Sequence, residues 1–208
     1  MEIFHVSATS PYATNTFLLL GNAGHAVVVD PAAEACEYEK LLAEHSAKLT
    51  HILLTHGHHD HVGAVRALRK KTGAEVWLGA DDRMGNRLFP LTDADCDHAY
   101  TDGELITVDD MTLRVITTPG HSRGSVCLLC GDTLFSGDTL FAGDIGRCDL
   151  DGGSMPDMLH SLAKLKGTVT GNPQVLPGHE GFSDMEHEKE SNRYLKHAEC
   201  GALGCSFM

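Results

Sequence analysis

The segment THGHHDH at residues 55–61 limits the possible folds of this chain most, because it holds four histidines and an aspartate in six consecutive positions. It follows the apolar pattern HILLT and precedes the helical pattern GAVRALRK. His56 and His58 are two residues apart, so in an extended chain both rings point the same way and form a chelating pair. Asp60 and His61 follow after a turn and face a second point nearby. The loop therefore predicts ligands for two metal ions at the end of a strand.

Four ligands from one loop do not complete two sites, since a catalytic zinc usually has three protein ligands and one position for water. Three further candidates follow apolar strands beside a glycine, which lets the backbone approach a crowded site. These are His121 in TTPGHSRGS, Asp138 in LFSGDTLF and His179 in VLPGHEG. The simplest partition gives one metal His56, His58 and His121, gives the other Asp60, His61 and His179, and lets Asp138 bridge both.

Two other residues near this set have different expectations. His59 alternates away from His56 and His58, so we leave it out of the ligands. Asp30 ends the strand pattern HAVVVD. It either orients a ligand imidazole, as carboxylates often do around metals, or caps the turn in VDPAA.

Apolar runs of strand length alternate with helical patterns along the chain. The predicted strands are EIFHVS, TNTFLLLG, HAVVVD, LTHILLT, AEVWLG and PQVLP, with two hairpins in residues 104–120 and 125–138. The helical patterns cover residues 32–47, 63–73, 154–167 and 184–199. This order predicts an α/β fold with two mixed β-sheets covered by helices on the outside. No repeat or linker divides residues 1–208, which predicts one domain.

Several element ends have local signals. Gly73 closes the second helix at its C-cap. Ser154 is the predicted N-cap of the third helix, with Pro156 in its first turn and Gly167 past its end. Residues 80–104 contain glycine, proline and many acids, and predict a short helix within a long surface loop.

Charge and hydropathy exclude some partners. The formal net charge of −13 disfavours nucleic acids, whose affinity comes mainly from Lys and Arg. No apolar run approaches the roughly 20 residues that span a bilayer. The N-terminal sequence MEIFHVSATS has neither the basic nor the apolar segment of a signal peptide. We therefore expect a cytoplasmic protein with no membrane or nucleic-acid partner.

The seven cysteines have irregular spacing, which predicts free thiols in a chain without a signal peptide. Cys127 and Cys130 lie three apart in the strand pattern SVCLLC, so they should point to opposite faces and pack in the core rather than share a metal. His197, Cys200 and Cys205 near the C-terminus are interpreted as part of a frayed end rather than as a second metal site.

These residues together resemble the metallo-β-lactamase superfamily, and within it the glyoxalase II-like thioesterases. The family's HxHxDH block, downstream histidine, bridging aspartate and last histidine are matched by His56, His58, Asp60, His61, His121, Asp138 and His179. The segment VVVDPAA also looks like the strand and aspartate that precede the block in the family. The resemblance implies an αββα sandwich with the metals at one edge of the sheets.

The segment GDTLFAGDIGRCDLDGG is similar to the GxIGRxD region of short bacterial glyoxalase II-like proteins, with Arg147 and Asp149 at the matching places. Arg147 could pair with a substrate carboxylate, because its planar fork fits one; the alternative is an ion pair with Asp149 that braces the loop. Full-length glyoxalase II enzymes carry an additional C-terminal helical domain. Because this chain stops at Met208, we expect a short form without that domain.

The resemblance implies a metal-dependent hydrolase, expected to be a thioesterase that acts on S-acyl thiols such as S-D-lactoylglutathione. Two divalent ions would hold a bridging hydroxide that attacks the thioester carbonyl. Zinc is expected first, with iron or manganese as alternatives. Asp60 and Asp138 are the predicted catalytic carboxylates. A thiol leaving group, with a pKa near 8.5, can depart without a strong general acid.

Other activities are compatible with part of this pattern. Glutathione persulfide dioxygenases resemble the same fold but use one iron, which here would be held by His56, His121 and Asp138. Lactone or ester hydrolysis would use the same hydroxide. Zinc β-lactamases lack the bridging aspartate that Asp138 supplies, and the net charge disfavours the superfamily's nucleases. A non-catalytic metal-binding module is disfavoured because closed structural sites have four protein ligands.

Overall fold

The computed structural model describes residues 1–8 and 12–198, and within them the strands form two sheets. The N-terminal sheet has the order β1-β2-β3-β4-β5, formed by Glu2–Ser7, Asn15–Leu20, His25–Val29, Lys48–Leu53 and Glu75–Trp77. The C-terminal sheet has the order β11-β10-β9-β8-β7-β6. In chain order its strands β6 to β11 are Leu105–Val108, Met111–Thr117, Val126–Cys130, Thr133–Gly137, Gln174–Pro177 and Ser183–Asp184.

Both sheets are mixed. In the N-terminal sheet β1, β2 and β3 pair antiparallel, and β3, β4 and β5 pair parallel. In the C-terminal sheet the only parallel pair among the described strands is β9 with β10. The helices α1 to α5 are Ala35–Glu44, Val65–Thr72, Met155–Thr168, Met185–Ser191 and Arg193–His197, with short 3-10 helices at Ala80–Asp82 and Asp93–Asp95.

Alternation along the strands divides the apolar side chains into three layers. Val27 and Leu128 lie in the layer between the two sheets. Val28 packs with Tyr38 of α1 on the outer face of the N-terminal sheet. The outer face of the C-terminal sheet packs against α3 through residues such as Leu162. The predicted sandwich of two mixed sheets flanked by helices is therefore confirmed.

The two cysteines of β8 follow the same alternation. Cys130 lies between the sheets, and Cys127 packs against the layer under α3. Burial raises the pKa of the Cys127 thiol to about 11. Their predicted role in core packing is consistent with these positions. His197 ends α5, whereas Cys200 and Cys205 lie outside the described residues.

Two helix predictions were wrong. The third helix does not stop before Gly167 but runs through it to Thr168, because the chain leaves the helix in an extended conformation at Val169. The closing helix predicted over 184–199 is two helices, broken at Asn192. The buried Asn192 side chain caps α5 through its oxygen and donates from Nδ2 to the carbonyl oxygen of Asp144 at 2.9 Å. That contact holds its backbone out of the helical conformation.

Residues 80–104 were predicted as a surface loop with a short helix, and this is only partly right. The stretch has two 3-10 turns, but Asp82, Phe89 and Leu91 are fully buried. Phe89 packs against the ring of His58, with 4.6 Å between ring centroids. The loop is therefore part of the support of the histidine segment. In the described parts of the chain, every helix is too short or too polar to cross a bilayer.

Candidate metal centre

The predicted ligands come together at one edge of the sandwich, where four strands end. The histidine segment follows β4 of the N-terminal sheet. His121, Asp138 and His179 follow β7, β9 and β10, which all belong to the C-terminal sheet. The site therefore lies between the two sheets and takes ligands from both.

The first group consists of His56, His58 and His121. Each offers a ring nitrogen within 4.8 Å of the others, and all three side chains are buried. His58 Nδ1 and His121 Nε2 face each other at 2.8 Å. The structure thus brings together the three residues that the sequence assigned to one metal.

The second group consists of Asp60, His61 and His179. His61 Nε2 lies 3.2 Å from His179 Nε2, which in turn lies 3.4 Å from Asp60 Oδ2. These are the residues that the sequence assigned to the other metal.

Asp138 contacts both groups with its two carboxylate oxygens. Its Oδ2 lies 3.4 Å from His121 Nε2 and 3.4 Å from His179 Nε2. Its Oδ1 lies 3.4 Å from His61 Nε2. This is the position required of a bridging carboxylate.

Hydrogen bonds at Nδ1 fix the orientation of four imidazoles. His121 Nδ1 donates to the carbonyl oxygen of Arg147 at 2.7 Å, and His179 Nδ1 donates to that of Tyr12 at 3.1 Å. A carbonyl oxygen only accepts, so the neutral ring keeps its lone pair on Nε2. In both rings Nε2 is the nitrogen that faces Asp138.

His56 and His61 are held in the same way by Asp30 and Thr55. Asp30 Oδ2 lies 3.1 Å from His61 Nδ1 and accepts from the Thr55 hydroxyl at 2.6 Å. Because that hydroxyl donates to Asp30, it accepts from His56 Nδ1 at 3.2 Å. Asp30 therefore has the orienting role that the sequence left open. Thr55 was missed, although its place directly before the first ligand was a usable signal.

The donor set fits divalent metal ions. His56 Nε2 and Asp138 Oδ1 are buried and have no hydrogen-bond partner, which is costly unless another group satisfies them. Burial, together with the neighbouring histidines, lowers the pKa of His56 well below its usual value. Burial and His121 likewise lower the pKa of His58 to about 3. These rings are neutral at physiological pH, the form that ligates a metal.

The second group has the opposite electrostatics. Burial opposes protonation of His179, but hydrogen bonds and the charges of Asp138 and Asp60 raise its pKa to about 10. Burial likewise disfavours the charged carboxylates, yet the surrounding histidines hold the pKa values of Asp60 and Asp138 below normal. Both carboxylates are ionised at neutral pH and available as ligands.

The sequence profile of the Metallo-beta-lactamase superfamily matches residues 9–168, which is most of the chain. The chain belongs to the metallo-β-lactamase superfamily.

Two proteins similar to this chain have different named functions. The chain is 34% identical over 156 residues to the probable polyketide biosynthesis zinc-dependent hydrolase PksB of Bacillus subtilis, covering 74% of this chain and 67% of that protein. It is 28% identical over 216 residues to the hydroxyacylglutathione hydrolase GloC of Haemophilus influenzae, covering 94% of this chain and 97% of that protein.

Solved structures show the same fold. The crystal structure of the B3 metallo-β-lactamase BLEG-1 superposes with a TM-score of 0.83 at 31% identity, covering 93% of this chain and 99% of that one. The crystal structure of ETHE1 from Myxococcus xanthus superposes with a TM-score of 0.80 at 29% identity, covering 93% and 84%.

In this superfamily member a cavity of about 810 Å³ opens beside the two groups. Its wall includes Leu88, Phe141 and Ile145 as well as Arg147. The Arg147 guanidinium pairs with both Asp149 oxygens at 2.7 Å, so the alternative of a loop brace is realised in this structure.

His59 and Asp82 complete the surroundings. The ring of His59 contacts that of Tyr12, with 5.3 Å between centroids, and stays outside both ligand groups as predicted. Asp82 was missed by the sequence analysis because it lies in a stretch interpreted as surface loop.

Proposed function

We propose that this chain is a metal-dependent thioesterase that hydrolyses S-acyl thiols such as S-D-lactoylglutathione. The position of Asp138 carries this proposal, because its carboxylate contacts His121 of one ligand group and both histidines of the other. A bridging carboxylate favours two adjacent ions over one. The similarity to GloC of Haemophilus influenzae, a hydroxyacylglutathione hydrolase, supports the substrate class.

The ligand residues divide the work between two ions. His56, His58 and His121 would hold the first, Asp60, His61 and His179 the second, and Asp138 both. When bound, two divalent ions, with zinc expected first, would acidify a water to a pKa near 7 and polarise a carbonyl. The carboxylates of Asp60 and Asp138 offset the positive charge of the ions.

The cavity suits a small acyl thiol. Leu88, Phe141 and Ile145 give it an apolar wall that can receive an acyl chain or a thiol arm. Arg147 at the rim would bind a carboxylate of the thiol carrier. The leaving thiol, with a pKa near 8.5, departs as a thiolate and needs no general acid from the protein. The proposed partner is therefore a small-molecule thioester and not a nucleic acid or a membrane.

The deciding experiment follows the loss of thioester absorbance when metal-analysed protein meets S-D-lactoylglutathione. We expect turnover by the wild type, none by His56→Ala, and unchanged turnover by His187→Ala, which removes an exposed histidine of α4. No turnover by a protein carrying two ions would reject this substrate. Parallel assays with lactones and simple esters test the hydrolase alternatives with the same samples.

The similarity to ETHE1 of Myxococcus xanthus favours one second candidate, a glutathione persulfide dioxygenase with a single iron. The iron ligands would be His56, His121 and Asp138, and His121 Nε2 lies 3.4 Å from Asp138 Oδ2. Metal content and oxygen uptake with glutathione persulfide separate the two candidates. One iron and oxygen consumption would replace the thioesterase assignment, whereas two ions and thioester turnover would support it.

A further inference from the structure

We propose that Asp82 is a positioning residue for the first metal ion, acting through the two backbone segments that carry His56, His58 and His121. It contacts none of the predicted ligand side chains by hydrogen bond. Instead it joins the histidine segment to the loop after β7. This inference rests on the metal sites of the proposed function and concerns their affinity and geometry.

The first contact lies inside the histidine segment. The backbone N–H of Gly57 donates to Asp82 Oδ2 at 2.9 Å. Gly57 separates His56 from His58, so this bond fixes the peptide between the two ligands. A β-carbon added at Gly57 would lie only 2.8 Å from Asp82 Cβ, which shows how closely the two backbones approach.

The second set of contacts lies beside His121. The Ser122 hydroxyl donates to Asp82 Oδ2 at 2.7 Å, and the backbone N–H of Gly124 donates to Asp82 Oδ1 at 2.8 Å. Ser122 directly follows His121 in the chain. Asp82 thus fixes the loop that brings the third ligand from the other sheet.

The burial of Asp82 argues for a specific role. Its side chain is fully buried, and a buried carboxylate is expensive unless donors surround it. All three donors come from the two ligand-bearing segments. These donors lie 25 to 42 residues from Asp82 along the chain. A carboxylate serving stability alone has no need to take every donor from those segments.

The second ligand group is supported by other residues. Asp30 contacts His61, and the carbonyl oxygen of Tyr12 accepts from His179. Replacing Asp82 should therefore weaken metal binding by the first ligand group and not by the second. A general loss of stability would weaken the binding of both ions together.

The test titrates metal-free protein with zinc against a chromogenic chelator. The zinc affinity of the first group is measured in the Asp60→Ala variant, which lacks a ligand of the second group. The zinc affinity of the second group is measured in the His58→Ala variant, which lacks a ligand of the first. Asp82→Asn should weaken zinc binding by the first group about 10- to 100-fold, as loss of groups that orient ligands does. It should leave the zinc affinity of the second group unchanged within error. Ser122→Ala removes one donor but keeps the carboxylate, and should weaken the first ion less.

Glu188→Gln is the matched control. Glu188 is also fully buried and accepts from Gly143 N, Ser183 Oγ and Asn192 Nδ2, none of which lies in the two segments that carry His56, His58 and His121. It should leave both affinities unchanged. Unchanged affinity of the first ion in folded Asp82→Asn, or equal weakening of both ions, would overturn the proposal.

If Asp82→Asn does not fold, the Ser122→Ala variant provides the test. An unchanged zinc affinity of the first group in that variant would overturn the proposed role of Asp82. The thioesterase assignment fails separately. A wild type that binds two ions without hydrolysing thioesters rejects that assignment, while selective weakening by Asp82→Asn still supports the positioning role.

Discussion

Asp30 Oδ2 lies 3.1 Å from His61 Nδ1, on the side of the imidazole away from His179. The carboxylate also accepts from the backbone N–H of Thr55 at 2.7 Å through Oδ1. Asp30 itself has a left-handed backbone with φ of 50°. A strained, buried aspartate is therefore retained where it orients a ligand and anchors the start of the histidine segment.

We expect Asp30→Asn to weaken zinc binding by the second group about 10- to 100-fold, because the amide replaces a carboxylate oxygen that holds His61. Thioester turnover should fall with it. Zinc competition titrations and metal content after dialysis measure the effect. Asp109→Asn is the control, since Asp109 also has a left-handed backbone, with φ of 53°, and bonds His25 Nδ1 at 2.7 Å. Equal zinc affinity in both variants would contradict the role of Asp30.

Arg147→Ala should raise KM for a thioester that carries a carboxylate and leave kcat nearly unchanged, because a uniform binding contact is lost. The main-chain carbonyl that accepts from His121 is retained in this variant, so metal content should not change. Steady-state kinetics with acyl thiols of equal acyl group, with and without a carboxylate on the thiol, make the measurement. An unchanged KM would leave Arg147 as a loop brace only.

Zinc binding by the second group should release at least one proton and strengthen as pH rises, because ligation needs unprotonated rings. The carboxylates around His179 outweigh its burial and raise its pKa to about 10, so the metal-free ring is protonated at neutral pH. Burial opposes protonation of His61 as well, but the charges of Asp138 and Asp30 raise its pKa above the usual value. His56 and His58 of the first group should contribute little to this pH dependence, since burial lowers the pKa of His56 well below its usual value and that of His58 to about 3. Calorimetry in buffers of different ionisation enthalpy counts the protons. A pH-independent second affinity would contradict this electrostatic picture.

Two glycine substitutions should change stability in opposite directions. Gly79→Ala places a β-carbon against the carbonyl oxygen of Gly124 and should lower the free energy of unfolding by about 1–3 kcal/mol. Gly167→Ala in α3 meets no atom and should raise it by about 0.5 kcal/mol, since alanine is the better helix residue. Urea unfolding of the metal-free proteins measures both. A stable Gly79→Ala would show that the Gly124 loop can move.

The grouping of the candidate ligands was predictable because their spacing and position at strand ends are local properties. The sheets were predictable for the same reason, since apolar alternation marks both faces of strands such as β3 and β8. The break at Asn192 was not, because it depends on a contact with the carbonyl oxygen of Asp144, 48 residues away. The helical pattern on either side of Asn192 continues through it.

The buried position of Asp82 could not be predicted for a related reason. An aspartate in a stretch of acids, glycine and proline normally indicates a solvated loop. Its burial follows from the approach of Gly57 and Gly124 from two other parts of the chain. Only the assembled sandwich shows which acid of that stretch turns inward.

The predicted ligands His61 and His179 lie 118 residues apart in the chain. This separation also determines when during folding an ion can bind. Closing so long a loop is slow, and contacts of such separation form late. The ion therefore cannot serve as a nucleus around which the chain assembles. Bound metal should therefore leave the refolding rate almost unchanged and lower the unfolding rate. The metal-loaded protein would stay folded longer only because it unfolds more slowly.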